Sequence, residues 1–230
     1  MQTFGAHGYG ATANAGTVDA ATVWLFAEGS SARRFETFYT VLNPGQRAAR
    51  VTAVFTDTRG HTLARRTLVV GGLRRGTIQL TRIVRAEAVA ALLTATSPVV
   101  IERPYYFGPP NGGETGGSIV YGRSGTGLTW TFPAGDTTGG GNERLLVFNP
   151  NAQVLRVRAI FYLATGRMAT RAFAVPAHAR YTLDVRRAIG PRGTVHGSQL
   201  ISANKLGFIA EQSIYNARFT AGYSTAGLAQ

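Results

Sequence analysis

The sequence predicts an all-β protein made of two tandem immunoglobulin-like or fibronectin-like β-sandwich modules. The first observation behind this is an internal repeat. Trp24-Leu-Phe-Ala-Glu-Gly29 returns as Trp130-Thr-Phe-Pro-Ala-Gly135, 130 − 24 = 106 residues on. The same interval carries Val41-Leu-Asn-Pro44 onto Val147-Phe-Asn-Pro150, Arg50–Phe55 onto Arg156–Phe161 and Gly60 onto Gly166. A period this long is a whole domain, not a turn of a solenoid. The second observation is short runs of alternating, β-branched character bounded by Gly, Pro and Asn, the pattern of strands joined by tight turns. The third is composition. Hydrophobic residues make up 44%, enough for a core in each of two modules of about 100 residues, while only 15% are charged and 29 residues are glycine.

In chain order, residues 1–22 precede the repeat as an extension. Module 1 spans 23–128. Its opening strand places Trp24 and Phe26 on one face, and a strand at 38–42 follows. Arg50–Thr56 alternates, closes at Asp57-Thr-Arg-Gly60 and returns through Thr62–Val70 as a hairpin. Further strands are expected at 77–80, 89–96, 99–106 and 118–122. Leu80–Leu93 is rich in helix formers, but its counterpart Val185–Ile189 is stopped by Gly190-Pro191, so one helical turn and then a strand is expected. Module 2 spans 129–230. It opens with Trp130 and Phe132 and repeats the hairpin across Ala164-Thr-Gly166, from Arg156–Leu163 to Met168–Val175. Strands are expected at 144–148, 180–185, 195–202, 206–215 and 219–224.

The drift of the interval locates the loops. Arg75–Leu80 matches Arg180–Val185, and Val99–Glu102 matches Phe208–Glu211, with Tyr106 on Tyr215. The extra residues of module 2 fall around Gly190-Pro-Arg-Gly193, and the loop Gly108–Gly117 has no counterpart. Thr126-Gly-Leu128 is matched to Ala226-Gly-Leu228. The expected core includes Trp24, Phe26, Trp130 and Phe132, with Tyr106 and Tyr215 at equivalent positions.

Trp-x-Phe-Ala-Glu-Gly at 24–29, Asn43-Pro-Gly45, and Ile101-Glu-Arg103 with Tyr106 resemble a family of β-sandwich repeats of unknown function. These repeats occur in tandem in large secreted and surface-anchored bacterial proteins. Module 2 contributes Val175-Pro-Ala177 with Arg180 and Thr182, and Glu211 with Tyr215. It departs from the pattern at Ala134, opposite Glu28, and at Gln212, opposite Arg103. The resemblance implies a structural or adhesive role outside the cell and brings no catalytic residues.

Chemistry read from the residues alone is sparse. There is no cysteine, which excludes disulfides, thiolate metal sites and thiol catalysis. His7, His61, His178 and His196 lack metal-ligand spacing, and no Asp-rich calcium loop occurs. No cofactor is expected. Glu28 with Glu102 could serve as a carboxylate pair for glycoside hydrolysis, but Glu28 has no equivalent in module 2, so no enzymatic role is expected. Gly112–Gly117 and Gly139–Gly141 lack the dinucleotide-binding pattern. The net charge is +13 and Lys205 is the single lysine, the arginine bias of a GC-rich genome. Arginine pairs at 33–34, 65–66, 74–75 and 186–187 are spread over both modules, which argues against a specific nucleic-acid face.

The longest mainly apolar run, Ala88–Leu93, is too short to span a membrane. The N-terminus lacks the basic start and apolar run of a signal peptide, so either the precursor is trimmed or export follows another route. The expected role is a non-enzymatic subunit of an extracellular or cell-surface filament, layer or adhesin. Its partners are copies of itself and anionic cell-wall polymers. Residues 1–22, through Phe4, Tyr9 and Val18, would add as a strand to a neighbouring copy, or else fold back on their own module. The alternatives are a binding module for carbohydrate or an anionic surface polymer, and a virion structural protein.

Overall fold

The computed structural model describes residues 2–4, 10–12, 19–32, 34–108 and 115–230. Alternating burial places the strands much where the sequence pattern puts them. The first half contains β1 (Gln2–Phe4), β2 (Gly10–Thr12), β3 (Ala21–Phe26), β4 (Phe35–Asn43), β5 (Ala49–Thr56), β6 (Thr62–Val70), β7 (Arg74–Gln79), β8 (Ala90–Phe107) and β9 (Gly116–Tyr121). The second contains β10 (Thr129–Asp136), β11 (Asn142–Phe148), β12 (Leu155–Leu163), β13 (Met168–Val175), β14 (Arg180–Asp184), α1 (Val185–Ile189), β15 (Val195–Ser202), β16 (Ile209–Tyr215), β17 (Gly222–Ala226) and β18 (Leu228–Ala229).

The two halves are wired alike. In the first, β6, β5, β8 and β3 form one antiparallel layer and β7, β4, β8 and β9 the other. In the second, the layers run β13-β12-β15-β10-β18 and β14-β11-β16-β17. Thus β15 and β16 together do the work of β8. The sequence pattern predicts two strands at 89–96 and 99–106. They are one strand of 18 residues that leaves the first layer and enters the second. A short 3₁₀ turn at Leu80–Arg82 and helix α1 occupy matching places.

The repeated residues build matching scaffolds. Trp24, Phe26, Tyr39, Val41, Phe55 and Ile101 share one buried cluster. Trp130, Phe132, Leu145, Val147, Phe161 and Leu200 share the other. Each indole Nε1 donates to a backbone carbonyl at 2.9 Å, Trp24 to Val99 and Trp130 to Phe208, so burial leaves no orphan donor. Asn43 and Asn149 are wholly buried. Their amides donate to the carbonyls of Arg47, Val70 and Gly71, and of Gln153, Val175 and Pro176, respectively. The repeated Asn-Pro motif is therefore a turn anchor.

The structure corrects two further sequence expectations. Thr126–Leu128 does not match Ala226–Leu228. Glu102 faces Tyr121 where Glu211 faces Ala226, so Tyr121-Gly122-Arg123 is the counterpart of Ala226-Gly227-Leu228. A Cβ on Gly122 would lie 2.6 Å from the Phe26 ring, and one on Gly227 2.8 Å from the Phe132 ring. Both glycines let the chain press on the Trp–Phe pair. Tyr106 is also not core. Alternation along β8 sends Arg103, Tyr105 and Phe107 inward and leaves Tyr106 half-buried on the outer face, edge-on to Phe38. Its counterpart Tyr215 is buried, because that outer face is covered in the second half alone.

β1 pairs antiparallel with β2, and β2 lies alongside β9 of the same chain. Phe4 falls in β1; Tyr9 and Val18 lie outside the described residues.

Candidate functional site

The residues that differ between the halves converge where the halves meet. The outer face of β3 and β8, with Leu25, Ala27 and Ala90, belongs to the same apolar cluster as Leu146, Phe148 and Ala210. That contact covers the outer face of the β14-β11-β16-β17 layer. In β16, Glu211, Gln212 and Ser213 are consecutive and all buried, which a strand with one wet face does not allow. A second contact comes from the β5–β6 turn. Arg180 N donates to the Asp57 carbonyl at 3.1 Å. Gly60, at φ 87°, passes so close to Ala177 that a Cβ would overlap its carbonyl.

Burying β16 brings Glu211 to Arg103 of the first half. The Arg103 guanidinium is fully buried, 2.6 Å from Glu211 and 3.0 Å from Glu28. Glu211 Oε1 accepts from the Ala27 amide at 2.7 Å. Glu28 accepts from the Tyr215 hydroxyl at 2.9 Å and from Ser224 at 2.8 Å. One cation thus answers two carboxylates, one from each half. Burial alone would lower the pKa of Arg103, but the two carboxylates outweigh it and hold the group charged. Glu211 therefore pairs with its arginine in the centre of the interface, not at a strand edge. Glu28 meets Glu211 around Arg103, and Glu102 stands across from Thr40 on the outer face of its sheet.

Beside this network lies a cleft of about 760 Å³, inside the range of ligand sites. One wall is aromatic. Phe35 stacks on Tyr105 at 5.3 Å, Phe219 stacks on Tyr215 at 5.1 Å, and Phe35 and Phe219 meet edge-on at 6.2 Å. Phe219 is held at φ 57°, a left-handed conformation disfavoured for an aromatic residue. The Asn216 side chain closes the turn by bonding Thr220. Arg34 lies over the Phe219 ring at 5.0 Å, a cation–π contact.

Arg180 lies deepest among the cleft's cations. It is 5% exposed, its Nε has no hydrogen-bond partner, and its Nη1 makes one long bond, 3.4 Å, to the Gly29 carbonyl. Burial pushes its pKa down, with Glu28 opposing that shift in part. An incompletely bonded guanidinium out of water is costly and attracts an oxyanion. By contrast, Arg144 at the same cleft is matched by Asp184 at 2.9 Å.

Other candidates resolve differently. His196, fully buried, stands 3.3 Å from Glu143 inside the second sandwich. His61 is exposed beside Asp57, His178 sits in a turn at φ 55°, and His7 lies outside the described residues. Among the described residues no group of His, Cys, Asp and Glu could hold a metal ion, and no helix is long and apolar enough to cross a membrane. A second cleft of about 730 Å³ runs between β9 and β17, past Tyr121, Arg123 and Tyr223. Its arginine, Arg123, donates to the Gly227 carbonyl at 2.5 Å and lies over Trp130, while its Nε, like that of Arg180, has no hydrogen-bond partner. The sequence singled out Arg180 and Thr182 through their motif, but nothing in it linked them to Phe35 and Phe219.

The chain matches no sequence-defined protein family and no curated protein. Among solved structures it is similar to Thermotoga maritima 1070, with a TM-score of 0.42 and 14% identity over 46% of this chain and 96% of that one. The Anabaena sensory rhodopsin transducer is similar over 36% of this chain and 92% of its own, with a TM-score of 0.32 and 18% identity. A β-glucuronidase of Bacteroides uniformis is similar over 90% of this chain and 26% of its own, with a TM-score of 0.20 and 8% identity. At these scores the likeness bears on no activity.

Proposed function

We propose that the protein is a non-enzymatic binding module that holds an anionic ligand in the cleft between its halves. The observation that carries this is Arg180, buried, incompletely hydrogen-bonded and lining the cleft. Each half alone repeats a scaffold; the cleft exists only through their apposition. The ligand site lies at the junction rather than on a sheet face.

The filament reading gains less from the geometry. Its premise was an N-terminal strand donated to another copy, whereas β2 has β9 of its own chain beside it. The apolar patch formed by Leu25, Ala27, Ala90 and Leu92 is matched in the second half by Thr131, Pro133, Gly197 and Gln199. That second surface lacks the side chains with which the first half grips its neighbour.

The test is a titration of the full chain with sodium acetate and with sodium phosphate, followed by amide NMR. Perturbations should gather at 31–35, 180–182 and 215–219 and vanish in Arg180→Gln. Shifts scattered over the exposed arginines of β5, β6, β12 and β13, unchanged in that variant, would leave only non-specific attraction to anions.

A further inference from the structure

We propose that the outer face of the β13-β12-β15-β10-β18 layer docks an extended segment of a partner protein, one that carries apolar side chains beside carboxylates. Along β12 the residues Leu155, Val157, Ala159 and Phe161 point into the core, so Arg156, Arg158, Ile160 and Tyr162 point out. Tyr162 stands opposite Met168 of β13 and Gly197 of β15, and Val195 lies two residues before Gly197 on the same face. Leu228 of β18 reaches that face opposite Thr131. Among the described residues ten large apolar side chains are exposed, and Tyr162, Met168, Val195 and Leu228 are four of them. Four on one sheet face form a patch, unlike the single exposed hydrophobes that are normal on a soluble surface.

None of the four belongs to the repeated scaffold. The first-half counterparts of Tyr162 and Met168 are Thr56 and Thr62, 106 residues earlier. Ala90 faces Thr56 as Gly197 faces Tyr162, which makes Ala88 the counterpart of Val195. Leu228 stands where the first half has Arg123. In the first half this same outer face, through Leu25, Ala27 and Ala90, is already an interface, covered by the second half. The second half presents the equivalent face open, with apolar side chains at new positions.

Shape and charge give the occupant. From Met168 to Leu228 the band crosses five strands, about 19 Å, the reach of about six residues of extended chain. Its floor, Ile160, Gln199 and Thr131, is half-buried and uncharged. Arg158 and Arg156 flank it on the same face, at successive steps of about 7 Å from Ile160. Both are exposed, and neither makes an ion pair among the described residues. Arg158 is new as well, standing where the first half has Thr52. Asp136, opposite Val195, is occupied by the Thr138 amide at 2.7 Å. Tyrosine, methionine and arginine without lysine or glutamate match the composition of protein-binding patches. A second copy does not answer this face. The chain has 24 bases against 11 acids, and Glu28, Glu143 and Glu211 are buried, so two copies would meet as like charges. A flat sheet also sets these side chains level with their neighbours, which suits a chain laid across it better than insertion among lipid tails.

The experiment is amide NMR and calorimetric titration of the full chain with a random glutamate–tyrosine copolymer. Poly-glutamate of the same length is the charge control, and phosphatidylglycerol vesicles are a further arm. The copolymer should bind at least about tenfold more tightly than poly-glutamate, with perturbations gathered at 158–162, 168–170 and 195–199. The double variant Tyr162→Ser, Met168→Ser should abolish that difference. Arg158→Glu should weaken the copolymer by about tenfold. All three side chains are exposed, so melting temperature should stay within about two degrees of wild type. Equal binding of copolymer and poly-glutamate, or binding indifferent to the double variant, would overturn the proposal. Vesicle binding that the double variant loses, without a copolymer preference, would overturn it in favour of a lipid surface. A dimer in sedimentation that the double variant dissociates would overturn it in favour of a second copy.

Discussion

At the scale of the residue, what repeats is scaffold and what fails to repeat is interface. Trp24 and Trp130, Asn43 and Asn149, Gly122 and Gly227 make the same contacts in both halves. Glu28 and Arg103, replaced by Ala134 and Gln212, make the junction. Gln212 keeps half of the pattern: its amide donates to the Ala134 carbonyl at 2.9 Å, as Arg103 donates to that of Glu28 at 2.7 Å. Replacing Trp24 or Trp130 with Ala should cost about 3–5 kcal/mol through lost burial and the cavity left behind. Chemical denaturation checks this, and a loss below about 1 kcal/mol would place that indole outside the core. Arg103→Met should cost about 3–5 kcal/mol, since it strands two buried carboxylates. The triple change Arg103→Met, Glu28→Gln, Glu211→Gln should recover much of that loss, because stranded charge is the source of the cost.

At the scale of the element, strand positions were largely legible because alternation is a local signal. β5, β6, β12 and β13 begin or end within a residue of their expected bounds. β8 was not, because its passage between layers depends on what lies beside it rather than on its own residues. β16 hid its role for a related reason. Both its faces are buried, so Glu211-Gln-Ser213 reads as exposed although all three are covered. Inside the second sandwich, β11 and β15 bring Glu143 to His196. Burial alone would lower the His196 pKa, but the Glu143 carboxylate 3.3 Å away raises it above the ordinary 6.5. A histidine raised in the folded state adds stability that is fully present below its unfolded pKa of about 6.5 and is lost as pH rises through the folded value. Melting temperature should therefore fall as pH is raised across that window. Glu143→Gln should flatten the dependence; an unchanged slope in that variant would assign it to another group.

At the scale of the whole molecule, the two halves share one apolar cluster and one buried charge network. Their unfolding is expected to be a single cooperative calorimetric transition, and two well-separated transitions would mean that the interface contributes little. The sequence made the two halves plain and left their apposition unseen. Phe219 carries no signal of its own and the motif that marks Arg180 does not point to it; they come together only because Leu25, Ala27 and Ala90 seat the first half on the second. The most direct measurement is a crystal structure of the full chain grown with saturating sodium acetate. It should show the carboxylate within hydrogen-bond distance of Arg180. Acetate bound elsewhere on the surface, with the cleft holding only solvent, would contradict an anion site at the junction.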